Sequence, residues 1–448
     1  MGPPRSTMPK KSSQGQHTRD NKKEKKKPAQ APRRQAKPQT ESEETNHIDL
    51  SATIPVTLQQ LLLNVFRSAL LNDVYGGNSN VGKGDATDAT STESRQLDIK
   101  TLIQTIKSHL YNRDFDSAFT DANEDLLRAY ALRWSASRAL GYAGVFRSLL
   151  KVLMEQDGGL VSSTGSNHVV CIGGGAGAEI VALAAAWRDL VDEVERREAL
   201  SAGVAGVSLD GGDRAADDQG QSISHPALSV TAVDIADWSS VVDRLSYTIR
   251  SPAVMGSKSH PAPLLNLGKV GDDGEKEGED AAGFAVRFRR SDVLSISEDE
   301  LKDLLHLETS DKGNATVMVT LMFTLNELFS TSMAKATAFL LRTTDLVRPG
   351  TLLLVVDSPG SYSTLKLGKG KAQEGAASAA TVQERQYPMK FLLDHTLLSV
   401  AEGKWERVYS QDSRWWRREA ARLGYDVGEG AGLEDMRYQV HIYRRLAN

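Results

Sequence analysis

Four glycines within five residues, Gly173, Gly174, Gly175 and Gly177, form the first stretch of this chain whose spacing implies chemistry. The apolar run Val169, Val170, Cys171, Ile172 leads into them, and Glu179 opens an alanine-rich helical pattern behind them. Strand, glycine turn and helix, in that order, present backbone N–H groups at a helix start to a bound ligand. Glycine suits the position because the chain must turn sharply and let the ligand lie against bare main chain.

Two ligand classes fit that turn. Gly173, Gly175 and Gly177 match the G-x-G-x-G spacing of S-adenosylmethionine (SAM) binding sites. Gly173, Gly175 and Ala178 equally match the G-x-G-x-x-G/A dinucleotide fingerprint. Asp234 closes a second strand pattern and would accept hydrogen bonds from ribose hydroxyls in either case, unless it serves as a loop cap. Asp292, with Val293 beside it, follows a third strand pattern and could accept from an adenine exocyclic amine, which favours SAM; a Ser-Asp pair also begins helices. A recognisable hydride-transfer constellation such as Tyr-x-x-x-Lys is not found, so an NAD(P) oxidoreductase is the weaker reading.

The elements that must position these residues follow from periodicity. Helices are expected over 54–71, 99–111 and 123–153, the last broken at Gly141 or Gly144. Strand patterns cover 169–172, 228–234, 284–289, 315–323, 351–356 and 436–443. Between them, helices are expected over 178–200, 237–249 with Asp237 as its N-cap, 330–346, and 413–423 carrying Trp415 and Trp416. Strands alternating with helices predict an open, doubly wound, mostly parallel sheet. The chain then divides into a disordered basic tail (1–46), a helical N-terminal module (47–155) and the sheet domain (156–448). Low-complexity insertions fall near 201–227, 256–283 and 366–381, and no internal repeat is visible.

Composition narrows the function. At 448 residues with 40% hydrophobic content, the chain reads as soluble and globular, with no apolar run of membrane-spanning length and a start that lacks the apolar core of a signal peptide. A single cysteine, Cys171, excludes an intramolecular disulfide and a cysteine-based zinc cluster; the histidines lack ligand spacing, so no metal is proposed. Residues 1–40 hold 12 Lys/Arg against 2 Asp/Glu, whereas the remainder holds 42 against 56. A basic arm on an acidic body invites a polyanion or an import receptor. In the helical module, Arg128, Tyr130, Arg133, Trp134, Arg138, Tyr142 and Arg147 could stack on bases and pair with phosphates. The reading preferred here is that the aromatics are core and the arginines lie on the solvated face.

Several stretches resemble the class I SAM-dependent methyltransferases, and more narrowly the fungal large-subunit rRNA uridine-N3 methyltransferases. They are VVCIGGGAGAE (169–179), VTAVDIADWSSVVDRL (230–245), RFRRSDVL (287–294), VMVTLMFTLNELFS (317–330) and LLLVVDSPGSYS (352–363), with RWSASRALGYAGVF (133–146) in the N-terminal module. The resemblance spans about residue 56 to the C-terminus and implies a Rossmann-like class I fold, SAM as cofactor, and N3 of a uridine in 25S-type rRNA as target. It implies an RNA or pre-ribosomal partner and a nuclear, nucleolar address, with the cytoplasm as alternative. One departure is the position two residues before the first glycine, where an acid often stands and Cys171 stands here.

The residues restrict the chemistry further. Methylation at a pyrimidine C5 uses a cysteine nucleophile, and Cys171 lies inside an apolar strand. The Asn/Asp-Pro-Pro-aromatic turn of adenine-N6 methylases is replaced by Phe323-Thr324-Leu325-Asn326-Glu327. Transfer to a uridine N3 needs the imide proton to leave, so a base or an anion-stabilising group is expected. Asn326 could hydrogen-bond a base edge, and Glu327 or Asp357 could take the proton. Tyr362 and Tyr387 could stack on a flipped base. Arg385 and the Arg414-Trp415-Trp416-Arg417-Arg418 cluster could contact RNA, with the tryptophans read first as core. A protein methyltransferase and a non-catalytic RNA-binding assembly factor are the alternatives.

Overall fold

The structure is a computed structural model that describes residues 48–71, 97–155, 166–205, 227–265, 283–307, 315–360, 362–366, 384–419 and 421–447. The basic tail and most of the three insertions lie outside these residues. Helices α1 (Val56–Leu71), α2 (Ile99–Tyr111), α3 (Glu124–Tyr130) and α4 (Ala136–Glu155) come first. Strand β1 (Ser166–Ile172), helix α5 (Ala178–Ala205), β2 (Ala227–Asp234), α6 (Ser239–Ile249) and β3 (Phe284–Arg290) follow. Next are α7 (Glu298–Leu304), β4 (Ala315–Met322), α8 (Leu325–Leu346) and β5 (Leu352–Asp357). A hairpin of β6 (Tyr362–Lys366) and β7 (Glu384–Pro388) leads to α9 (Met389–Asp394), β8 (Trp405–Trp416) and β9 (Met436–Arg445).

The main sheet has seven strands in the order β3-β2-β1-β4-β5-β9-β8. The first five are mutually parallel, while β9 runs antiparallel to both β5 and β8. This is the class I methyltransferase topology expected from the sequence. The chain moves outward from β1 to β3 and returns to β4, which puts the reversal of strand order between β1 and β4. A ligand crevice opens at such a point, beyond the carboxyl ends of the strands.

Side chains alternate between two apolar layers, as a strand covered on both faces requires. Val169 and Cys171 of β1 share a core with α1, α4, α5 and α6. Val170 and Ile172 face the opposite layer, built with α7, α8 and α9. Helices α1 to α4 therefore pack into the same apolar layer as one face of the sheet. α1 buries most of its circumference, from Leu58 to Leu70, so it is an interior helix.

Several expectations change. The stretch 413–423 does not form a helix: Trp415 and Trp416 end β8, where cross-strand pairing with Met436 and Arg437 of β9 overrides the helical pattern. The run 124–155 is broken by a π-helical turn at Ala131–Ser135, not at its glycines. Gly141 and Gly144 are accounted for by close approach, since the Met436 side chain and the Ala52 carbonyl press against them. Asp237 does not hold the N-cap position of α6, which falls to Trp238, but its carboxylate accepts from the Ser239 amide at 3.1 Å. The sequence patterns did not single out α7, α9 or the β6–β7 hairpin. Part of the second insertion is also packed, with Leu264 fully buried.

The arginines of the N-terminal helices do not form a solvated face. Arg128 and Arg133 are buried, and Arg128 donates through Nε to the Leu70 carbonyl at 3.0 Å. Arg147 of α4 reaches two acids of α5, pairing with buried Asp189 and, at 2.5 Å, with Glu193. A buried charge that loses its partner is costly. Arg147→Met is therefore expected to lower stability by about 3–5 kcal/mol in urea unfolding. Adding Asp189→Asn to that variant should restore part of the loss; additive losses would show that the pair is not what joins α4 to α5.

Candidate functional site

A cavity of ≈ 930 Å³ opens at the carboxyl ends of β1 to β5, at the point where the strand order reverses. The glycine turn supplies its floor. Gly173 adopts φ 76°, a conformation that favours glycine, and its amide donates to the Val233 carbonyl at 2.7 Å. Gly173, Ala176, Ala178 and Glu179 face the cavity, while Gly174, Gly175 and Gly177 stand behind that wall. A Cβ at Gly175 would strike the Trp238 ring and come within 2.8 Å of the Asp234 Cβ. The glycines thus serve close packing between the turn and the end of β2 as much as ligand access.

Asp234 fastens these two segments. Its carboxylate accepts from the Gly175 amide at 3.3 Å and from the Ala236 amide at 3.2 Å, and it lines the cavity. Burial pushes its pKa up to about 6, against the pull of those amides and of the Trp238 indole. Its place at the end of β2 is the one expected for a ribose-binding acid.

At the end of β3, Asp292 and Val293 both line the cavity. Val293 is a buried apolar wall. The Asp292 carboxylate accepts from the Leu294 amide at 2.9 Å and from the Ser295 hydroxyl at 2.7 Å, so it caps its own turn. Only its remaining lone pairs can serve a ligand.

Past β4, Phe323 sits at φ 58°, a left-handed conformation that costs an aromatic residue about 1–3 kcal/mol. Its amide donates to the Val356 carbonyl at 2.7 Å, and its ring stacks on Tyr142 with centroids 6.5 Å apart. Asn326 lines the cavity with its side-chain Oδ1 buried and unbonded. Glu327 lies on the exposed rim of the same cavity. Asp357, at the end of β5, is buried; its carboxylate accepts from the Asn326 amide at 3.2 Å and the Ser358 amide at 2.7 Å. Asp357 therefore holds the start of α8 in place. The three residues proposed from sequence are brought together, but in distinct environments.

The opposite wall comes from α4 and the turn before it, together with Glu179. Tyr130, Arg138 and Tyr142 line the cavity and, with Trp134 between them in sequence, are spaced by four; such residues drift around an α-helix by about 40° per step. The π-helical turn at Ala131–Ser135 falls within the first step and offsets that drift. Arg138 donates to the Tyr130 hydroxyl at 3.0 Å and lies 4.7 Å from the centre of the Phe323 ring. Glu179, on the first turn of α5, is only 4% exposed and its Oε1 has no hydrogen-bond partner. Burial pushes its pKa up to about 8, although a hydrogen bond from its own backbone and the Arg138 charge draw it down. Sequence reasoning did not assign Arg138, Tyr142, Phe323 or Glu179 to the site. The available signals were the four-residue spacing and the acid directly behind the glycines.

Other sequence candidates lie elsewhere. Cys171 is fully buried, and burial pushes its thiol pKa up, which fits the exclusion of nucleophilic cysteine chemistry. Tyr362 is exposed on the β6–β7 hairpin, and the Tyr387 ring stacks on Phe391 with centroids 5.5 Å apart. Arg414 donates to the Leu50 carbonyl at 2.7 Å. Of the two tryptophans read as core, Trp416 packs against the core, but Trp415 is half exposed with Arg417 4.2 Å from its ring centre.

Residues 86–444 match the sequence profile of Methyltransf_34, a family of SAM-dependent methyltransferases. The chain belongs to this family. It is 29% identical over 393 residues to the 25S rRNA (uridine(2843)-N(3))-methyltransferase of Saccharomyces cerevisiae, covering 86% of this chain and 85% of that protein. Among solved structures, it is similar to an O-methyltransferase family protein from Burkholderia thailandensis (13% identity, 81% of this chain and 75% of that one, TM-score 0.31). It is also similar to the N-methyltransferase NodS from Bradyrhizobium japonicum in complex with S-adenosyl-L-homocysteine (9% identity, 77% and 98%, TM-score 0.28). SAM is the cofactor of this methyltransferase family. The site fits it: Asp234 matches a ribose, Val293 offers an apolar wall to a purine, and the orphaned Glu179 oxygen is an acceptor without a donor.

Glu179 also sets a pH dependence in the ligand-free methyltransferase. Its folded pKa of about 8 stands above the ordinary 4.5, so the folded chain keeps a proton that the unfolded chain gives up. This stabilisation is fully present below pH 4.5 and is lost as pH rises through about 8. Asp234 acts with the same sign, between 3.8 and about 6. Glu179→Gln removes the first contribution. Its melting temperature should gain on the wild type between pH 5 and pH 8, by an amount worth roughly 1–3 kcal/mol. Parallel melting profiles across that range would contradict the assignment.

Proposed function

We propose that this methyltransferase acts on RNA, transferring a methyl group to N3 of a uridine in large-subunit rRNA. The observation that carries the reading is the pairing of Asn326 with Glu327 just past β4. A buried, unbonded amide oxygen stands there beside a carboxylate open to solvent, on the wall of the cofactor cavity. The yeast relative, which is named for uridine-N3 methylation of 25S rRNA, supports the same target.

SAM, when bound, supplies a methyl group on a sulfonium. The Asn326 side chain hydrogen-bonds the base edge and aligns the imide, while Glu327 takes the N3 proton from the rim and releases it to water, freeing the N3 lone pair for the methyl group. Asp357 acts as a positioning residue, fixing the Asn326 backbone through its amide. The target base enters unstacked, because N3 is buried in a paired or stacked strand. The family's glycine turn, Gly173 to Gly177, and the acids Asp234 and Asp292 with Val293 hold the nucleoside end of the cofactor. The reading assigns the chain to the nucleus, and there to the nucleolus, an address suited to its basic N-terminal arm.

Nucleoside mass spectrometry of rRNA from cells lacking the chain is expected to show loss of one 3-methyluridine. An unchanged content would refute the target while leaving the methyltransferase intact; transfer into a basic polypeptide would then favour the protein-substrate alternative. With purified protein and rRNA, Glu327→Gln should lower kcat by about 10²-fold or more and flatten the acidic limb of the pH–rate profile. A variant with unaltered kcat and profile would remove Glu327 as the base.

A further inference from the structure

The acid that often ends β1 in this fold is replaced by Cys171, which is fully buried. The cavity nevertheless contains a carboxyl group with one oxygen unpaired. Glu179 is 4% exposed, faces the cavity, and has an unbonded Oε1. Near it is a cation that also has no charged partner. Among the described residues, Arg138 makes no ion pair; its contacts are the Tyr130 hydroxyl at 3.0 Å and the Phe323 ring at 4.7 Å. The two charges influence one another, yet they do not meet. A buried carboxylate and a nearby guanidinium held apart on one cavity wall leave room for a group that brings both opposite charges.

We propose that Glu179 and Arg138 clamp the amino-acid end of the cofactor, the carboxylate taking its α-ammonium and the guanidinium its α-carboxylate. Placement agrees with this. Asp234 marks the ribose end at β2, whereas Glu179 opens α5 just beyond the β1 turn and Arg138 on α4 lies against the Phe323 ring past β4. A nucleoside anchored at Asp234 therefore extends its tail between them. Tyr130 and Phe323 hold the guanidinium plane through a hydrogen bond and a ring face, which limits the freedom lost on binding. An N-terminal helix thus supplies half of a cofactor subsite that the sheet alone cannot complete. The inference rests on SAM as the cofactor and is independent of which RNA is methylated.

Calorimetry with two probes separates the ends of the cofactor. S-adenosylhomocysteine carries the amino-acid end, and 5′-methylthioadenosine lacks it. The wild type is expected to bind the first at least tenfold more tightly. Glu179→Gln and Arg138→Met should each weaken S-adenosylhomocysteine at least tenfold and leave methylthioadenosine unchanged, with Arg138→Lys recovering part of the loss. Asp234→Ala should weaken both probes alike. Equal weakening of both probes by the Glu179 or Arg138 variants would overturn the clamp, as would an unchanged affinity for S-adenosylhomocysteine. A wild type that binds both probes equally would overturn the clamp alone; one that binds neither would overturn the cofactor assignment with it.

Discussion

A carboxyl group withdrawn from water must find a donor, a cation or a proton. This methyltransferase withdraws two beside the same turn. Asp234 finds donors: the Gly175 and Ala236 amides hold it, and through it the end of β2 is tied to the glycine turn of β1. Glu179 finds no partner for its Oε1. The first carboxylate builds the site, and the second offers it an acceptor that the fold itself does not use. The strained backbone of Phe323 belongs to the same pattern, since local strain gathers where a structure is shaped for something other than stability.

Much of the fold was legible because buried parallel strands leave apolar runs that few other structures produce. β1, β2, β4 and β5 all fell within a few residues of their patterns, and α2 matched its predicted limits. The C-terminal third was less legible. The run 413–423 has helical spacing, but Trp415 and Trp416 are fixed by ladder partners about twenty residues further on, a non-local contact that no local pattern contains. The break at Ala131–Ser135 was hidden for a similar reason. Glycine suggests a helix end when read locally, whereas Gly141 and Gly144 only make room for neighbours distant in sequence.

The site was legible in part. The glycine turn and the acids at the strand ends announce themselves because each sits at a fixed offset from a strand. Asn326, Glu327 and Asp357 were also located, although no pattern ranked one above another. The ranking comes from hydrogen bonding, which commits Asp357 to two amides and leaves the Asn326 oxygen unbonded. The arginines were misjudged as solvated because charge predicts exposure only when no partner waits inside. Arg147 has Asp189 and Glu193, and Arg138 has an aromatic wall. Such partners come from other helices and cannot be read from one helical face.

A crystal structure grown with S-adenosylhomocysteine would examine this arrangement most directly. The ribose hydroxyls should lie within hydrogen-bond distance of the Asp234 carboxylate, with the purine against Val293. A ligand bound elsewhere, or a cavity closed by its own aromatic side chains with Asp234 unengaged, would contradict the account.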